Sequence, residues 1–282
     1  MTDSMTAERR AQIVPPAQHQ VEAGAAGLLH SANAGVIVQK VGQLRSEYRN
    51  EGRVFAREMA KHVNARQAGN ATAFVYEETF GYEDRLHFLI HLRSLDTYYG
   101  MVEMGDQDRA YRESVAKERV QTDSGAGAWD RLFVDGSMRS NVLLPHTWTG
   151  RTGRDTVPVA GEQTAQPEGQ LLHSGNAGIV LLRSATVGYG FRAEARQIAR
   201  ELVENINKNF AGEASAFAYE EAFGGDQLHW LIHLRDLTTY QRLLEQDAFA
   251  DDGRPGTFVD GSVSDIALTP HHWGLYATRQ QA

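Results

Sequence analysis

Cysteine is absent from this 282-residue chain, which excludes disulfide bonds, thiolate metal sites and thiol catalysis and favours a cytoplasmic protein. Lysine is scarce, with 4 residues against 24 arginines, and the net charge is −8. This negative balance argues against nucleic acid as a partner, because such binding depends on cationic contacts to phosphate. The sequence also lacks an apolar run of about 18 residues, so it predicts no membrane-spanning helix and no membrane partner.

Several motifs of nucleotide and cofactor sites are also missing. The chain has no phosphate-binding glycine loop, no Gly-x-Gly-x-x-Gly at a strand-to-helix turn and no nucleophile elbow. Nucleotide or flavin binding by those routes is therefore not expected. Residues 1–27 are polar or rich in Ala and Gly, without the apolar centre of a signal peptide, and we interpret them as a mobile N-terminal tail.

The chain does contain an internal repeat. Five blocks return in the same order: 28–35 (LLHSANAG) as 171–178 (LLHSGNAG), 74–81 as 217–224, 86–93 as 228–235, 133–137 as 258–262 and 145–148 as 270–273. The first two blocks return 143 residues later, and the last two return 125 residues later. Chance does not produce such an ordered series, so the sequence indicates a tandem duplication of one structural unit.

The repeat defines the expected domains. We assign one unit to residues 28–150 and the other to 171–276, joined by a linker over 151–170 and followed by a C-terminal tail over 277–282. The first unit carries an insertion at about residues 105–128, which includes a charged helical stretch. Because the second unit has no counterpart, we expect the insertion to cover one mouth of a shared cavity.

Both units contain the same order of predicted elements. An apolar, β-rich run is followed by an amphipathic helix, two strands joined by a short turn, a second helix and a final strand. This β-α-β-β-α-β order is that of a ferredoxin-like unit, and two such units can pack the bare faces of their sheets together. The predicted fold is α+β, with two ferredoxin-like repeats fused into one pseudo-dimeric α/β barrel.

The segment at residues 85–98 (RLHFLIHLRSLDTY), a strand that leads into a capped helix, resembles the dimeric α/β-barrel superfamily. Within that superfamily the chain is most similar to antibiotic-biosynthesis monooxygenases, NIPSNAP-like proteins and EthD-like proteins. Chlorite-dismutase-like haem proteins share the architecture. The resemblance implies a barrel around a ligand pocket and leaves a homo-oligomer open, but it matches no single catalytic motif.

One face of the central hairpin carries identical residue types in both units. The members of this face are Phe74, Tyr76, Glu78, His87, Leu89, His91 and Arg93 in the first unit, and Phe217, Tyr219, Glu221, His229, Leu231, His233 and Arg235 in the second. Side chains alternate along a strand, so the opposite face, with Leu86, Phe88 and Ile90, should contact the helices. The identical face is therefore predicted to line the barrel interior.

The candidate chemistry lies in two Glu–His pairs on that face. If Glu78 is directly opposite His87, and Glu221 opposite His229, each pair can share a hydrogen bond and act as a general acid or base. We predict these four residues to be catalytic. The predicted substrate-binding residues are Tyr76, His91, Arg93, Tyr219, His233 and Arg235, where each tyrosine orients a substrate oxygen and an arginine holds an anion. The alternative is that each buried pair only satisfies its own hydrogen bonds.

No cofactor is expected, although a metal ion and haem stay open as alternatives. His87 and His91 are about 13 Å apart along a strand and cannot hold one ion together. A metal site would have to draw its ligands from Glu78, His87, Glu221, His229, His146 and His271. The last two belong to a Pro-His-x-Trp segment in each unit, either at the cavity rim or as packed strand ends. Haem would be held by one inward histidine, as similar barrels do.

The leading hypothesis is a small-molecule enzyme of bacterial natural-product biosynthesis. The excess of Arg over Lys, with abundant Ala and Gly, is typical of a GC-rich bacterial genome. The resemblance implies an aromatic or polyketide-like substrate and a cofactor-independent oxygenation, isomerisation or cyclisation. Two alternatives stay open: a non-catalytic small-molecule binding protein, and a metal- or haem-dependent enzyme using the same pocket. The sequence does not decide which of the two pseudo-equivalent sites is active.

Overall fold

A computed structural model of the protein describes residues 15–22, 27–122, 125–147, 157–249 and 255–272. The described strands are β1 (Val36–Gln43), β2 (Ala71–Glu78), β3 (Arg85–Leu92), β4 (Val120–Thr122), β5 (Gly125–Gly127), β6 (Arg139–Pro145), β7 (Ile179–Thr186), β8 (Ala214–Glu221), β9 (Gln227–Leu234) and β10 (Ser264–Pro270). Eight of them close into a barrel in the order β1-β3-β2-β10-β7-β9-β8-β6, while β4 and β5 form a separate small hairpin.

The helices are α1 (Arg49–Arg66), α2 (Thr97–Gln107), α3 (Arg109–Ala116), α4 (Arg192–Asn209) and α5 (Leu237–Glu245). The longest two, α1 and α4, pack on β2 and β8 respectively. Apart from the extra elements between α2 and β6, the chain runs twice through a β-α-β-β-α-β order. The predicted mixed α/β fold with a closed barrel is confirmed. Among the described helices, none is long and apolar enough to cross a membrane.

The barrel consists of two four-stranded sheets with equivalent strand order, β6-β1-β3-β2 and β10-β7-β9-β8. Antiparallel pairing of β2 with β10, and of β6 with β8, joins the sheets. Because every neighbouring pair is antiparallel, alternate strands run in the same direction. The two hairpin turns, at residues 79–84 and 222–226, therefore lie at one end of the barrel, which we call the hairpin end. The loops at residues 28–35 and 171–178 lie at the opposite end, the loop end.

Apolar side chains fill three layers, one between the helices and each sheet and one inside the barrel. Leu86, Phe88 and Ile90 belong to an outer layer, where they pack with side chains of α1, so the predicted face assignment is confirmed. The inner layer includes Phe74, Tyr76, Leu89, Phe217, Tyr219 and Leu231, all fully buried. Each buried side chain of this size stabilises the fold by about 1.5–3 kcal/mol relative to exposure.

The insertion does not cover a barrel mouth, so that prediction is wrong. In its described part, α3 packs on α1, and Val120 of β4 joins the apolar layer that contains Phe55 of α1. Arg119 donates a hydrogen bond to Glu58 of α1 at 2.7 Å, and Trp129 stacks on Phe55 with ring centroids 5.9 Å apart. The aromatic side chain of Phe55 and the charge of Glu58 on α1 provide a better surface for this segment than the open end of the barrel.

Parts of the predicted tail and linker belong to the folded barrel. Gln20 exchanges two hydrogen bonds with the backbone of Val75 (2.8 and 2.7 Å), and Gln163 does the same with Ala218 (2.8 and 2.8 Å). Each glutamine amide thus forms the pair of backbone hydrogen bonds that a neighbouring strand would form with β2 or β8. The interpretation as tail or linker does not describe these segments. Residues 1–14 of the tail, 151–156 of the linker and the C-terminal tail at 277–282 lie outside the described residues.

Candidate active site

The hairpin register differs from the predicted one by two residues. Tyr76, rather than Glu78, lies directly opposite His87, and Tyr219 lies opposite His229. A shift of two residues keeps every side chain on its face of the sheet, because side chains alternate with a period of two. Glu78 and Glu221 therefore still point inward. Each lies two residues beyond the tyrosine that is opposite the histidine, so the carboxylate approaches its histidine diagonally.

In the first half, Glu78 and His87 form the centre of a small polar network at the hairpin end. Oε2 of Glu78 lies 3.5 Å from Nε2 of His87, at the outer limit of a hydrogen bond. The Gln39 side chain donates to Nδ1 of His87 at 3.2 Å, which leaves the imidazole proton on Nε2, facing the carboxylate. The backbone N–H of Tyr82 donates to the other Glu78 oxygen at 3.0 Å. Arg85 lies 3.7 Å from Glu78 and completes the network.

These contacts determine the charge of Glu78. Burial alone raises the pKa of its carboxyl group. The hydrogen bonds from His87 and from the Tyr82 N–H, together with the charge of Arg85, outweigh burial and lower the pKa below its ordinary value. Glu78 is therefore a carboxylate at neutral pH, with the Nε2–H of His87 beside it.

The second half contains the same pair with a different surrounding. Oε2 of Glu221 lies 3.4 Å from Nε2 of His229. Nδ1 of His229 is buried and has no hydrogen-bond partner among the described residues. Leu182 occupies the position equivalent to Gln39, 143 residues later, and offers no polar atom. Burial lowers the pKa of His229 more than the Glu221 carboxylate raises it, so this imidazole is neutral at physiological pH.

A glycine in each turn holds the carboxylate in place. Gly81 has φ 115° and Gly224 has φ 139°, a region that favours glycine. A Cβ at Gly81 would collide with Oε1 of Glu78, and a Cβ at Gly224 would collide with Oε1 of Glu221. Each turn therefore needs glycine for two reasons, its backbone conformation and its contact with the carboxylate.

At the loop end, the other predicted site residues bond to the protein itself. Nε2 of His91 lies 2.9 Å from Oγ of Ser174, and Nε2 of His233 lies 2.9 Å from Oγ of Ser31. Each serine oxygen also accepts the backbone N–H of the other serine, both at 3.0 Å. The Tyr219 hydroxyl donates to the Ser31 carbonyl at 2.8 Å. The loops of the two halves are thereby joined across the barrel axis.

The equivalent bond of the first half runs from the Tyr76 hydroxyl to the Ser174 carbonyl. His91 and His233 are completely buried, and burial lowers the pKa of each to about 3. Burial also raises the pKa of Tyr76. These side chains are neutral, and their polar atoms, which were predicted to bind substrate, are already hydrogen-bonded to other protein groups.

Four predicted residues lie away from the barrel interior. Arg93 and Arg235 are exposed at the loop end, where they donate to the carbonyls of Gly69 and Gly212. They lie at the far end of β3 and β9 from His87 and His229, about 20 Å along the strand. Anion binding beside the Glu–His pairs is therefore outside their reach.

His146 and His271 lie at the seams between the halves, on the helix side of the sheet. Nδ1 of His271 is 2.6 Å from Glu77, and Nδ1 of His146 is 2.8 Å from Glu220. These histidines are packed strand ends and do not reach a cavity rim or the barrel interior. The described residues contain no group of three or more His, Asp or Glu side chains arranged to hold a metal ion.

The seam carboxylates were not predicted as polar centres. Glu77 accepts two hydrogen bonds from Arg53, at 3.0 and 2.7 Å. Burial raises the pKa of Glu77, but its bonds with His271 and Arg53 lower it to about 2. The bonds of Glu220 with His146 and Arg196 likewise lower its pKa to about 2. The two adjacent glutamates in each unit could have predicted these centres. Adjacent strand residues face opposite sides of the sheet, so the glutamate on the helix side also required a polar partner.

Comparison with known proteins places the chain in a family. Residues 5–255 match a family described as a family of unknown function, DUF6039. The chain belongs to DUF6039. No curated protein matches it.

Solved structures share the fold of this DUF6039 barrel at very low sequence identity. One is a provisionally assigned monooxygenase from Lactobacillus acidophilus NCFM, with a TM-score of 0.52 and 7% identity over 84% of this chain and 93% of the other. Another provisionally assigned monooxygenase, from Fusobacterium nucleatum, has a TM-score of 0.51 and 7% identity over 84% and 92%. An anthrone oxidase-like protein has a TM-score of 0.47 and 10% identity over 86% and 94%. The resemblance to dimeric α/β-barrel proteins is supported for the fold, and none of the individual families named from the sequence is shown.

Three of the four inward histidines of this DUF6039 chain have no free nitrogen for haem, whereas Nδ1 of His229 is without a partner among the described residues. Both ring nitrogens of His91 and His233 are used by serines and backbone carbonyls, and those of His87 by Glu78 and Gln39. The apolar inner layer fills the space beside them. His91, His233 and His87 would have to break these bonds to serve as an axial ligand, so the haem alternative is restricted to His229.

Gln39 is the residue of the first pair that sequence reasoning missed. It is a buried polar residue within an apolar strand, and its counterpart in the second half is Leu182. The signal was present as a polar residue in the segment Val-Ile-Val-Gln, because an inward glutamine in an apolar strand requires a partner. Gln39 is not among the positions that are identical in the two units, so the repeat alone does not single it out.

Proposed function

We propose that the chain is a small-molecule enzyme in which a buried Glu–His pair, Glu78–His87 or Glu221–His229, supplies the acid–base group. The observation that carries the proposal is the placement of two buried Glu–His pairs at the same end of a closed barrel. The structural carboxylate Glu77 is held by the permanent cation Arg53 as well as by His271, whereas Glu221 has His229 as its one ion-pair partner among the described residues. An imidazole partner instead carries a proton that can move near neutral pH.

Oxygenation, isomerisation and cyclisation of aromatic or polyketide-like compounds share a first step, which is the removal of a proton from a phenol or from a carbon next to a carbonyl. In the proposed step that proton passes to the Glu–His pair, and the substrate becomes a phenolate or an enolate. The anion then reacts with dioxygen, or regains a proton at another atom, or closes a ring. We propose that this chemistry uses no resident cofactor.

The comparisons support this proposal at the level of fold. Two proteins with the same fold are provisionally assigned as monooxygenases, which favours an enzyme of small-molecule oxygenation. The presence of a Glu–His pair and the same strand order in each half favours an origin as two fused ferredoxin-like repeats. An aromatic or polyketide-like substrate, a role in bacterial natural-product biosynthesis and a homo-oligomeric state belong to the same proposal.

A non-catalytic binding protein is the second candidate, because the inner layer is tightly filled. Tyr76, Tyr219, His91 and His233 are all fully buried and bonded to the loop end. Whether the chain is an enzyme or a binding protein, contacts with a ligand are therefore confined to the hairpin end. Conversion of the ligand, rather than its binding, separates the two candidates.

The double variant E78Q/E221Q tests the enzyme proposal. Glutamine keeps the shape of each side chain and removes the acid–base group. Incubation with a panel of naphthols and hydroxylated aromatic ketones, followed by mass spectrometry and oxygen-uptake measurement, should reveal conversion by the native protein. The double variant should lose at least about 100-fold in rate. The exposed Glu83→Gln variant is the control. Binding of the panel without conversion, or an undiminished rate in the double variant, would reject the enzyme proposal.

A further inference from the structure

The two Glu–His pairs differ in what contacts the second imidazole nitrogen. The Glu–His distances are nearly equal, 3.5 Å in the first half and 3.4 Å in the second. Nδ1 of His87 accepts a hydrogen bond from Gln39, whereas Nδ1 of His229 has no partner among the described residues although the side chain is only 3% exposed. A buried polar atom without a partner destabilises a fold, so it marks a position where a water or a ligand would be stabilised.

The wall beside each pair differs in polarity as well. Gln39 of β1 is registered with Asn141 of β6, whereas the equivalent residues of the second half, Leu182 of β7 and Ile266 of β10, are registered with each other and are apolar. Leu182 belongs to the inner apolar layer, and Ile266 packs against it. Ser184, directly opposite His229, bonds through its hydroxyl to Ser264 at 2.9 Å. The second pair therefore has an unbonded ring nitrogen near this serine pair and the apolar Leu182 and Ile266, a combination suited to a ligand with an apolar body and one polar group.

The turn above the first pair closes it more completely. Arg85 lies over the ring of Tyr82, 3.5 Å from its centroid, and also approaches Glu78. In the second half Gln227 takes the place of Arg85, and the turn at residues 222–226 has five residues against six at 79–84. A small cleft on the helix side, lined by residues that include Arg192, Glu220 and Asp226, reaches Glu221 but not His229. The Glu221 side chain is 10% exposed, compared with 3% for Glu78.

We infer that the Glu221–His229 pair is the ligand site of the barrel, that Nδ1 of His229 receives a hydrogen bond from a phenolic or enolic hydroxyl, and that the first pair is a closed structural copy. The proton on Nε2 of His229 faces Glu221, so Nδ1 is an acceptor and the ligand must supply the donor. Leu182 and Ile266 then contact the apolar, preferably aromatic, body of the ligand. This inference rests on the proposed function and names its substrate class.

The arrangement also defines a balanced proton transfer. The hydroxyl proton of the ligand moves to Nδ1 of His229, and the proton on Nε2 moves to the carboxylate of Glu221. The oxygen–hydrogen bond of the ligand breaks, its electrons stay on oxygen, and a phenolate or enolate remains beside a neutral imidazole and a neutral carboxylic acid. No oxidant or reductant takes part in this step.

Binding of 2-naphthol to the full chain tests the inference, with 2-methoxynaphthalene as the ligand that lacks the donor. Calorimetric titration should detect 2-naphthol with at least about tenfold higher affinity than its methyl ether, the usual effect of one lost hydrogen bond. L182Q places an amide where the first half has Gln39, and it should weaken 2-naphthol binding at least about tenfold. L244Q, the same substitution at an exposed position of α5, should leave binding unchanged. Equal affinity for the two ligands, equal binding by L182Q and L244Q, or no binding of 2-naphthol at millimolar concentration would overturn the inference.

Nitrogen-15 NMR of the native protein gives a second measurement that does not depend on the folding of a variant. Addition of 2-naphthol should shift the Nδ1 resonance of His229 and leave that of His87 in place, and a shift at His87 alone would overturn the inference. The two proposals fail differently. Specific binding at His229 without any conversion rejects the enzyme and keeps the site, whereas turnover that is lost in E78Q but not in E221Q rejects the site and keeps the enzyme.

Discussion

The two ends of the barrel use the same residue types in opposite ways. At the loop end, Ser31 and Ser174 bond to His233 and His91 in a pattern that is nearly identical in both halves. At the hairpin end, the Glu–His pairs are also repeated, but their surroundings are not, because Gln39 of one half is replaced by Leu182 in the other. The inward serines and histidines of the loop end bond to one another, whereas at the hairpin end Nδ1 of His229 has no partner among the described residues.

This difference separates two reasons for repeating a residue. The serines and histidines of the loop end connect one half to the other, so each half needs its own copy and neither copy can change alone. The Glu–His pairs act within one half, so one pair can become closed while the other stays available to a ligand. Repeated residues that bond from one half to the other therefore indicate a role in stability. Repeated residues whose surroundings differ between the halves indicate a role in function.

Acidification should affect the loop end most strongly. Burial lowers the pKa of His91 and His233 from 6.5 to about 3, so the unfolded chain binds more protons than the folded one between those values. Stability from these groups is complete above pH 6.5 and falls as the pH drops toward 3, by a total on the order of 5 kcal/mol between pH 7 and pH 4. Urea unfolding across this range measures the effect. The double variant H91N/H233N should show a weaker dependence of the free energy of unfolding on pH. An equally steep dependence in that variant would mean that other groups cause the loss of stability.

Removal of the crossing serines should have the next largest effect. S31A/S174A leaves two buried backbone N–H groups and two histidine nitrogens without their partners, which should lower the free energy of unfolding by about 4 kcal/mol. Chemical denaturation measures this change. S264A, at an exposed serine of β10 whose hydroxyl bonds to Ser184 at the surface, serves as the control and should stay within about 0.5 kcal/mol of the native protein. A loss of less than about 1 kcal/mol in the double variant would mean that the loop end is not what joins the halves.

Loss of the contact between the insertion and α1 should have the smallest effect, and it should change only the stability of the protein. Arg119 is mostly buried and donates to Glu58 and to the Ser114 carbonyl, both at 2.7 Å. R119A should lower the free energy of unfolding by about 1–2 kcal/mol and leave ligand binding and turnover at the native level. The exposed Lys117→Ala variant is the control. Impaired ligand binding in a folded R119A protein would revive the idea that the insertion acts as a lid.

Strand alternation was enough to predict which side chains face the barrel interior. Glu78 and His87 point inward while Leu86 and Phe88 contact helices, because the period of a strand depends only on local geometry. The register was not predictable, because a turn of several residues allows shifts of two that preserve both faces. Such a shift placed Tyr76, rather than Glu78, opposite His87.

Tertiary contacts account for the remaining differences. The seams that pair β2 with β10 and β6 with β8 join segments almost 200 and about 80 residues apart, and no local pattern encodes them. The polar partners Gln20 and Gln163 lie in segments without apolar periodicity, so they were assigned to a tail and a linker. The insertion packs on Phe55 of α1 through an aromatic contact that depends on the assembled helix layer.

Turnover of H229A and H87A, measured on the same hydroxylated aromatic substrate, tests the central claim most directly. If the second pair is the working one, H229A should lose about 10²–10⁴-fold in kcat/KM, the range of a general acid or base. H87A should lose less than about tenfold, and circular dichroism should show that both variants are folded. Equal losses in the two variants, or a larger loss in H87A, would contradict the claim that the unbonded nitrogen of His229 marks the functional half of the barrel.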